Sequence, residues 1–284
     1  MSIENSVTTS RCLTVLSFLL LSPALAIAQE QAPAQKLEQR LSEGDAFDKL
    51  NQQLRVALDK DDHKQSITLL DEMIKLKPQL PNLYYFRATE NYMAENFRAS
   101  VNDFDKLIEL QPGRSDSLWE RGISCYYAGD YADGAKQFLD YQNYHDQDVE
   151  NSVWRYLCLA KSEGLAKARE TLIAIERDPR PGLQEVLELY RGSVTPEKLL
   201  EQMDQTNLTG QEAAGYRFYT LLYVGLYYIA EGKDDLAAKY LKMASDPKLL
   251  EAGSSRISTY MWETAGIGYR DVVKRQNKQT EGEK

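Results

Sequence analysis

The chain has 284 residues, of which 43% are hydrophobic, and 43 aspartates and glutamates against 34 lysines and arginines give a net charge of -9. This composition is typical of a folded protein and not of a disordered one. Because an acidic chain lacks the basic patches that attract phosphates, nucleic acid and anionic lipid are excluded as expected partners.

The N-terminal residues have the pattern of an export signal. Arg11 precedes an apolar run from Cys12 to Leu21, and the small residues that end at Ala28 follow it. This pattern predicts a signal peptide over residues 1–28, cleaved near Ala28, and export to the periplasm or the extracellular space. The run is about half as long as a membrane-spanning helix, so we expect no integral membrane span and a soluble mature chain. The polar residues 29–46 that follow are typical of a linker.

An internal repeat of 34 residues runs through the mature chain. Pro78 and Pro112 lie 34 positions apart, and each closes an apolar run. The same offset relates three columns of residues, namely Arg87, Arg121 and Arg155; Leu70, Phe104 and Phe138; and His63, Phe97 and Tyr131. A period of this length is typical of proteins built from stacked structural repeats. Units are therefore expected to start near residues 47, 81, 115, 149, 183 and 218.

Two of these units carry a known family pattern. The third unit has Gly122, Gly129 and Phe138 in the expected frame, and the sixth has Gly225 and Tyr228. In this respect the chain resembles the tetratricopeptide repeat (TPR) family. The resemblance implies an all-α fold, a right-handed solenoid of about six helix-turn-helix units with a C-terminal capping helix. The implied ranges are 47–80, 81–114, 115–148, 149–182, 183–217 and 218–251 for the units, 252–273 for the cap and 274–284 for a disordered tail.

Small residues are expected wherever the two helices of a unit cross. Gly122 and Gly225 occupy this position, and a larger side chain there would hold the partner helix away. Large side chains such as Phe104 and Phe138 are expected to fill the space between units. Cys125 and Cys158 lie in apolar helical surroundings and are expected to be buried thiols, although an exported chain could also join them in a disulfide.

The family resemblance also implies a binding surface on the concave side of the solenoid. Groove positions of the family fall on nine residues, and six of them are aromatic: Tyr85, Thr89, Tyr92, Met93, Trp119, Ile123, Tyr126, Tyr127 and Trp154. Large rings are typical of peptide-binding surfaces. Alternatively, the C-terminal helices fold into the groove and the same rings form core, since exposed apolar surface of this size needs an explanation. The sequence leaves both arrangements open.

The expected function is that of an exported, non-enzymatic scaffold or adaptor for a protein or peptide. Only His63 and His145 are present, which argues against histidine-based catalysis and multi-histidine metal sites, so no catalytic, cofactor or metal residue is predicted. The sixth unit, with Tyr223, Gly225 and Tyr227, also resembles the NlpI-type envelope adaptors, which implies an envelope protease or a cell-wall hydrolase as partner. The alternative is an enzyme or binding protein that holds a small molecule or glycan in the groove.

Overall fold

The computed structural model describes residues 42–282. The predicted signal peptide, and all of the predicted linker before residue 42, lie outside these residues. The chain divides into two compact units, residues 1–49 and 50–284. In the first unit, residues 42–49 are helical. Apart from the bounds of the first helix, the description below concerns residues 50–284.

Fourteen helices account for most of the described residues, and no β-strand occurs between residues 42 and 282. The predicted all-α class is therefore confirmed. The helices are α1 (42–58), α2 (His63–Leu76), α3 (Pro81–Met93), α4 (Phe97–Leu110), α5 (Trp119–Ala128), α6 (Tyr131–Asp140), α7 (Val149–Ser162), α8 (Leu165–Glu170), α9 (Leu183–Arg191), α10 (Pro196–Asp204), α11 (Gly210–Ala230), α12 (Asp234–Ala244), α13 (Pro247–Ala252) and α14 (Thr259–Gly282). Short 3₁₀ turns at Pro112–Ser117 and Tyr141–Asn143 lie between helices.

Each helix from α3 to α7 packs on the one before it and on the one after it. Short turns join these helices, so that neighbours in sequence are also neighbours in space. The pairs α3 with α4, α5 with α6 and α11 with α12 each form a helix-turn-helix unit. The repeated column Leu70, Phe104 and Phe138 is buried between the units. This is the stacked helix-pair solenoid that the repeat pattern predicts.

The arginine column ties the first helix of a unit to its neighbours. Arg87 on α3 donates from Nε to Asp103 Oδ2 at 2.9 Å and from a second nitrogen to Asp71 Oδ1 at 2.6 Å. Arg121 on α5 bonds Asp105 Oδ1 at 2.7 Å in the equivalent position. The bonds to Asp71 and Asp105 join helices of neighbouring repeat units, so Arg87 and Arg121 stabilise the stacking of one unit on the next. Arg155, the third member of the column, bonds the carbonyl of Thr171 within its own unit.

The glycine positions confirm the tight helix crossings. A Cβ atom added to Gly122 would lie 2.5 Å from Cζ of Phe138, and one added to Gly225 would lie 2.6 Å from Cγ of Leu241. Real Cβ atoms do not approach other carbons this closely, so only glycine lets α5 meet α6, and α11 meet α12, at these distances.

The two cysteines are buried free thiols in the described part of the chain. Burial raises the pKa of Cys125 to about 11 and raises the pKa of Cys158 as well. Both thiols therefore stay protonated at neutral pH, as expected of small apolar core residues.

Helix bounds in the C-terminal half differ from the expected ones. Helix α11 begins at Gly210, well before the expected unit start near residue 218, and it is buried on most of its surface. Helix α14 passes the expected cap end at residue 273 and continues to Gly282, so the described part of the predicted disordered tail is helical. The continuation is held by Arg275 and Gln276, which bond Asp234 and Asp235 of α12. None of the described helices is long and apolar enough to cross a membrane.

Candidate functional site

Helix α14 lies on the aromatic residues that the sequence assigns to the concave groove. The rings of Tyr92 and Tyr260 stack at 4.7 Å between centroids, with an angle of 10° between their planes. The hydroxyl of Tyr92 and Oγ1 of Thr264 form a hydrogen bond of 2.9 Å. Trp119 meets Tyr260 edge to face at 5.0 Å. The concave side of α3 and α5 is therefore occupied by a helix of the same chain.

The nine residues assigned to the groove are accordingly covered to different degrees. Four are buried, namely Tyr92, Ile123, Tyr126 and Trp154, and five are half-buried, namely Tyr85, Thr89, Met93, Trp119 and Tyr127. The expectation of an open aromatic groove is thus corrected, and the alternative that the C-terminal helices fill it is the one found. The physical reason is that α14 brings Tyr260 onto Tyr92 and Trp119 and places Met261 beside Trp119 and Trp154, so that these apolar surfaces are removed from water together. A role of these nine residues in binding a peptide stays a prediction.

The position of α14 is fixed by a close contact of its backbone at Gly268 with side chains of α5 and α12. A Cβ atom on Gly268 would lie 3.2 Å from the hydroxyl of Tyr127 and 3.3 Å from Cδ1 of Leu241. The helix therefore passes between α5 and α12 with no room for a larger residue at this point. The helical spacing of Ile257, Met261 and Ala265 predicts a capping helix, but the sequence does not indicate which face of the solenoid that helix covers.

Beyond Gly268, charged contacts replace most of the apolar ones. Glu95, in the turn after α3, accepts hydrogen bonds from Arg270 Nε at 2.7 Å and from Lys274. Burial favours the neutral carboxyl, but the bonds from Lys274 and Arg270 outweigh it and hold the pKa of Glu95 below its usual range. Val272 is the only buried residue among residues 269–278. The second half of α14 is therefore attached mainly through ion pairs that solvent reaches.

Tyr85 and Trp119, both assigned to the groove, have separate contacts. The hydroxyl of Tyr85 donates to Oε1 of Glu120 at 2.7 Å, and the guanidinium of Arg114 lies 5.6 Å from the centre of the Tyr85 ring. Burial raises the pKa of Glu120, although the bond from Tyr85 acts in the opposite direction. Trp119 instead borders a cavity.

This cavity, of about 210 Å³, lies between α5, α7, α11 and the start of α14. Its apolar walls are Trp119, Phe138, Trp154, Tyr219 and Met261, and its polar lining is Asp148, Glu150, Asn151, Arg180 and Ser258. Helix α7 supplies Glu150, Asn151 and Trp154. Trp154 follows the other two by four and three positions, so all three side chains lie on the same face of the helix. The cavity thus has an aromatic part and a charged part.

Arg180 is the centre of the charged part. It bonds Asp178 through two nitrogens, at 3.0 and 2.6 Å, and Asp148 Oδ1 at 2.7 Å. It also donates to Glu150, whose other oxygen accepts from the hydroxyl of Tyr223. Three carboxylates therefore share one guanidinium. Burial raises the pKa of Glu150 to about 7, and Arg180 opposes this while the charges of Asp148 and Asp178 add to it.

Two polar atoms of the lining residues have no hydrogen-bond partner among the described residues. They are Oδ1 of Asn151 and Nε1 of Trp154, and both side chains are almost fully buried, at 3% and 1% exposure. The amide nitrogen of Asn151 donates to the carbonyl of Phe138 at 2.8 Å, which fixes the orientation of the side chain. These two atoms have almost no accessible surface of their own, so they are buried within the wall behind the cavity, an unusual state for unpaired polar groups.

The sequence predicts residues of the aromatic part of this cavity but none of its charged part. Trp119 and Trp154 are among the predicted groove residues, whereas Glu150, Asp178 and Arg180 are not. The one available signal is the irregular segment Asp178-Pro-Arg-Pro-Gly between two helical patterns. In residues 42–282, no group of three His, Cys, Asp or Glu residues could hold a metal ion.

Comparison with known proteins finds two solved structures of low similarity. No family model matches the chain. Among solved structures, MamA from residue 41 to its end, from Desulfovibrio magneticus RS-1, is similar at 13% identity and a TM-score of 0.44, over 75% of this chain and 97% of that one. The P58(IPK) TPR domain is similar at 15% identity and a TM-score of 0.38, over 87% of this chain and 70% of that one.

Proposed function

We propose that this protein is an exported, non-enzymatic adaptor that binds a helical segment of a partner protein on its concave face. The observation that carries the proposal is the position of α14, whose Tyr260 and Thr264 lie on the ring and hydroxyl of Tyr92. A helix whose apolar side lies in a hydrophobic groove is a common mode of peptide recognition. A surface that holds one such helix can hold another with the same pattern.

The two halves of α14 differ in how firmly they are held. The first half buries Met261, Ala265 and Ile267 against the solenoid. In the second half, Arg270 and Lys274 pair with Glu95 while 45% and 60% of their side-chain surface stays exposed. Exposed ion pairs contribute about 0.2–1 kcal/mol each. The second half therefore costs less to displace, and a partner helix replaces α14 from that end.

The chemistry of this end indicates the kind of partner. Glu95, Asp234 and Asp235 present carboxylates to the basic and polar side chains of α14. The chain as a whole carries a net charge of -9. A basic amphipathic helix fits this surface because its cations replace those of α14. An envelope protease or a cell-wall hydrolase with such a segment is the partner class that the sequence resemblance suggests.

Replacing Lys274 by Glu should make the concave face easier to occupy from outside. The substitution removes one ion pair of α14 and places a second carboxylate beside Glu95. We expect a fluorescent peptide of residues 259–278 to bind the Lys274→Glu protein about fivefold more tightly than wild type, measured by fluorescence anisotropy. Lys278→Glu is the matched control, because Lys278 is an exposed lysine of the same helix, and we expect it to leave the affinity unchanged.

Equal peptide affinity for the Lys274→Glu and Lys278→Glu proteins would contradict displacement from this end. Absence of peptide binding to all three proteins would contradict a concave face that accepts a second helix.

Export has its own test, which does not depend on the partner. Because the signal-peptide pattern ends at Ala28, we expect mass spectrometry of the protein from its native source to find an N-terminus at or near Gln29. Intact Met1 on most of the mature protein would rule out the export part of the proposal.

A further inference from the structure

We propose that the cavity between α5, α7, α11 and α14 binds a protonated alkylamine, with the ammonium group at Glu150 and the alkyl stem between the aromatic walls. The site goes beyond the adaptor function and does not depend on it, since Lys274 and the second half of α14 do not line the cavity. It gives a specific form to the alternative that the sequence leaves open, namely the binding of a small molecule.

The balance of charge at the polar part favours a cation. The ionisable groups that face Glu150 are Asp148, which caps the N-terminus of α7, Asp178 and Arg180 from the segment after α8, and Tyr219 and Tyr223 from α11. Arg180 is the only cation of this set, and three carboxylates surround it. A second positive charge would therefore reduce the repulsion among Asp148, Glu150 and Asp178.

The walls suit an alkyl stem that ends in a positive charge. Trp119, Trp154 and Tyr219 present aromatic rings to the cavity, and such rings attract cations through their faces. The Tyr219 ring already has the guanidinium of Arg180 at 5.9 Å from its centre. Phe138 and Met261 supply apolar surface for methylene groups.

The volume sets the size of the ligand. A cavity of about 210 Å³ has room for about seven water molecules at roughly 30 Å³ each. This matches a chain of five carbons with a terminal amine. Two sources provide this group, a free diamine and the side chain of a lysine in a peptide.

Binding should depend on pH because of Glu150. Its carboxyl titrates at about pH 7 in the folded protein, and an ammonium group favours the ionised form. Binding therefore releases a proton when the pH is below that value, and the affinity should rise about tenfold between about pH 6 and about pH 8. Burial acts to raise the pKa of Asp178, but the bonds from Arg180 outweigh it and hold that pKa below its usual range, so Asp178 stays charged and does not add to the change.

The test is a calorimetric titration of the mature full-length chain with 1,5-diaminopentane, 1-aminopentane, 1-pentanol and Nα-acetyl-lysine methylamide. We expect the amines to bind with a dissociation constant of about 1 mM or lower, and 1-pentanol at least tenfold more weakly. Glu150→Gln should weaken amine binding about tenfold and abolish its pH dependence. Glu163→Gln, at an exposed glutamate just after α7, is the matched control and should bind as wild type does.

Tighter binding of Nα-acetyl-lysine methylamide than of the free amines would identify a peptide lysine as the source, and the reverse order would identify a free amine. Equal binding of 1-aminopentane and 1-pentanol to the wild-type chain would overturn the proposal whether or not a variant folds. Failure of every amine to bind would overturn it as well.

Discussion

Replacement of Tyr92 by Ala should lower the free energy of unfolding by about 3–5 kcal/mol, the usual cost of emptying a buried aromatic site. The side chain is fully buried, its ring stacks on Tyr260, and its hydroxyl is bonded to Thr264. The variant loses these contacts, and the hydroxyl of Thr264 loses its hydrogen bond to Tyr92. Urea unfolding followed by circular dichroism measures the change.

Tyr144→Ala is the control for this experiment, because it removes the same atoms from a tyrosine that is 66% exposed. We expect its stability to stay within about 0.5 kcal/mol of wild type. If Tyr92→Ala were as mild as Tyr144→Ala, then Tyr92 would be solvent-accessible and α14 would not lie on it.

Substitution of Gly225 by Leu should also destabilise the protein, by about 1–3 kcal/mol or more. A Cβ atom at this position would lie 2.6 Å from Cγ of Leu241 and 3.2 Å from the backbone nitrogen of the same residue. Backbone atoms of α12 cannot move without displacing the whole helix. Leu is also a better helix former than Gly by about 1 kcal/mol. The measured loss in the free energy of unfolding is therefore smaller than the steric cost alone.

Gly113→Leu provides the comparison, since a Cβ atom there meets nothing within 4 Å. Thermal unfolding of the two variants gives the measurement. An unchanged melting temperature for Gly225→Leu would show that α11 and α12 are not in close contact at this point.

The repeating part of the fold is predictable from the sequence because its determinants are local. Residues 34 positions apart, such as Leu70, Phe104 and Phe138, have the same role in successive units, so their periodicity reveals both the helix pairs and the spacing. The close helix crossings at Gly122 and Gly225 can be predicted from the sequence for the same reason, because each crossing involves two helices that are neighbours in the chain.

The state of the concave face is not predictable in this way. Tyr92 and Thr264 are 172 positions apart, and their contact follows from how the C-terminal helix folds back. Helical spacing in residues 257–272 shows that a helix is present, but an amphipathic helix could cover the end of the solenoid or its groove equally well. The sequence therefore identifies the right rings and cannot establish their accessibility.

The charged part of the cavity is not predictable from the sequence for a related reason. Glu150 belongs to α7, whereas Asp178 and Arg180 lie in an irregular segment that follows the short helix α8. No repeat column includes this segment, so nothing in the sequence places it beside α7. The burial of Asp178 and the raised pKa of Glu150 depend on contacts that exist only in the folded chain.

A double-mutant cycle between Tyr92 and Tyr260 tests most directly whether α14 covers the concave face. Stability is measured for the wild type, Tyr92→Leu, Tyr260→Leu and the double variant. Stacked rings at 4.7 Å should give a coupling energy of about 0.5–1.5 kcal/mol. A coupling energy within about 0.3 kcal/mol of zero would show that the two residues do not touch, which would contradict the placement of α14 in the groove.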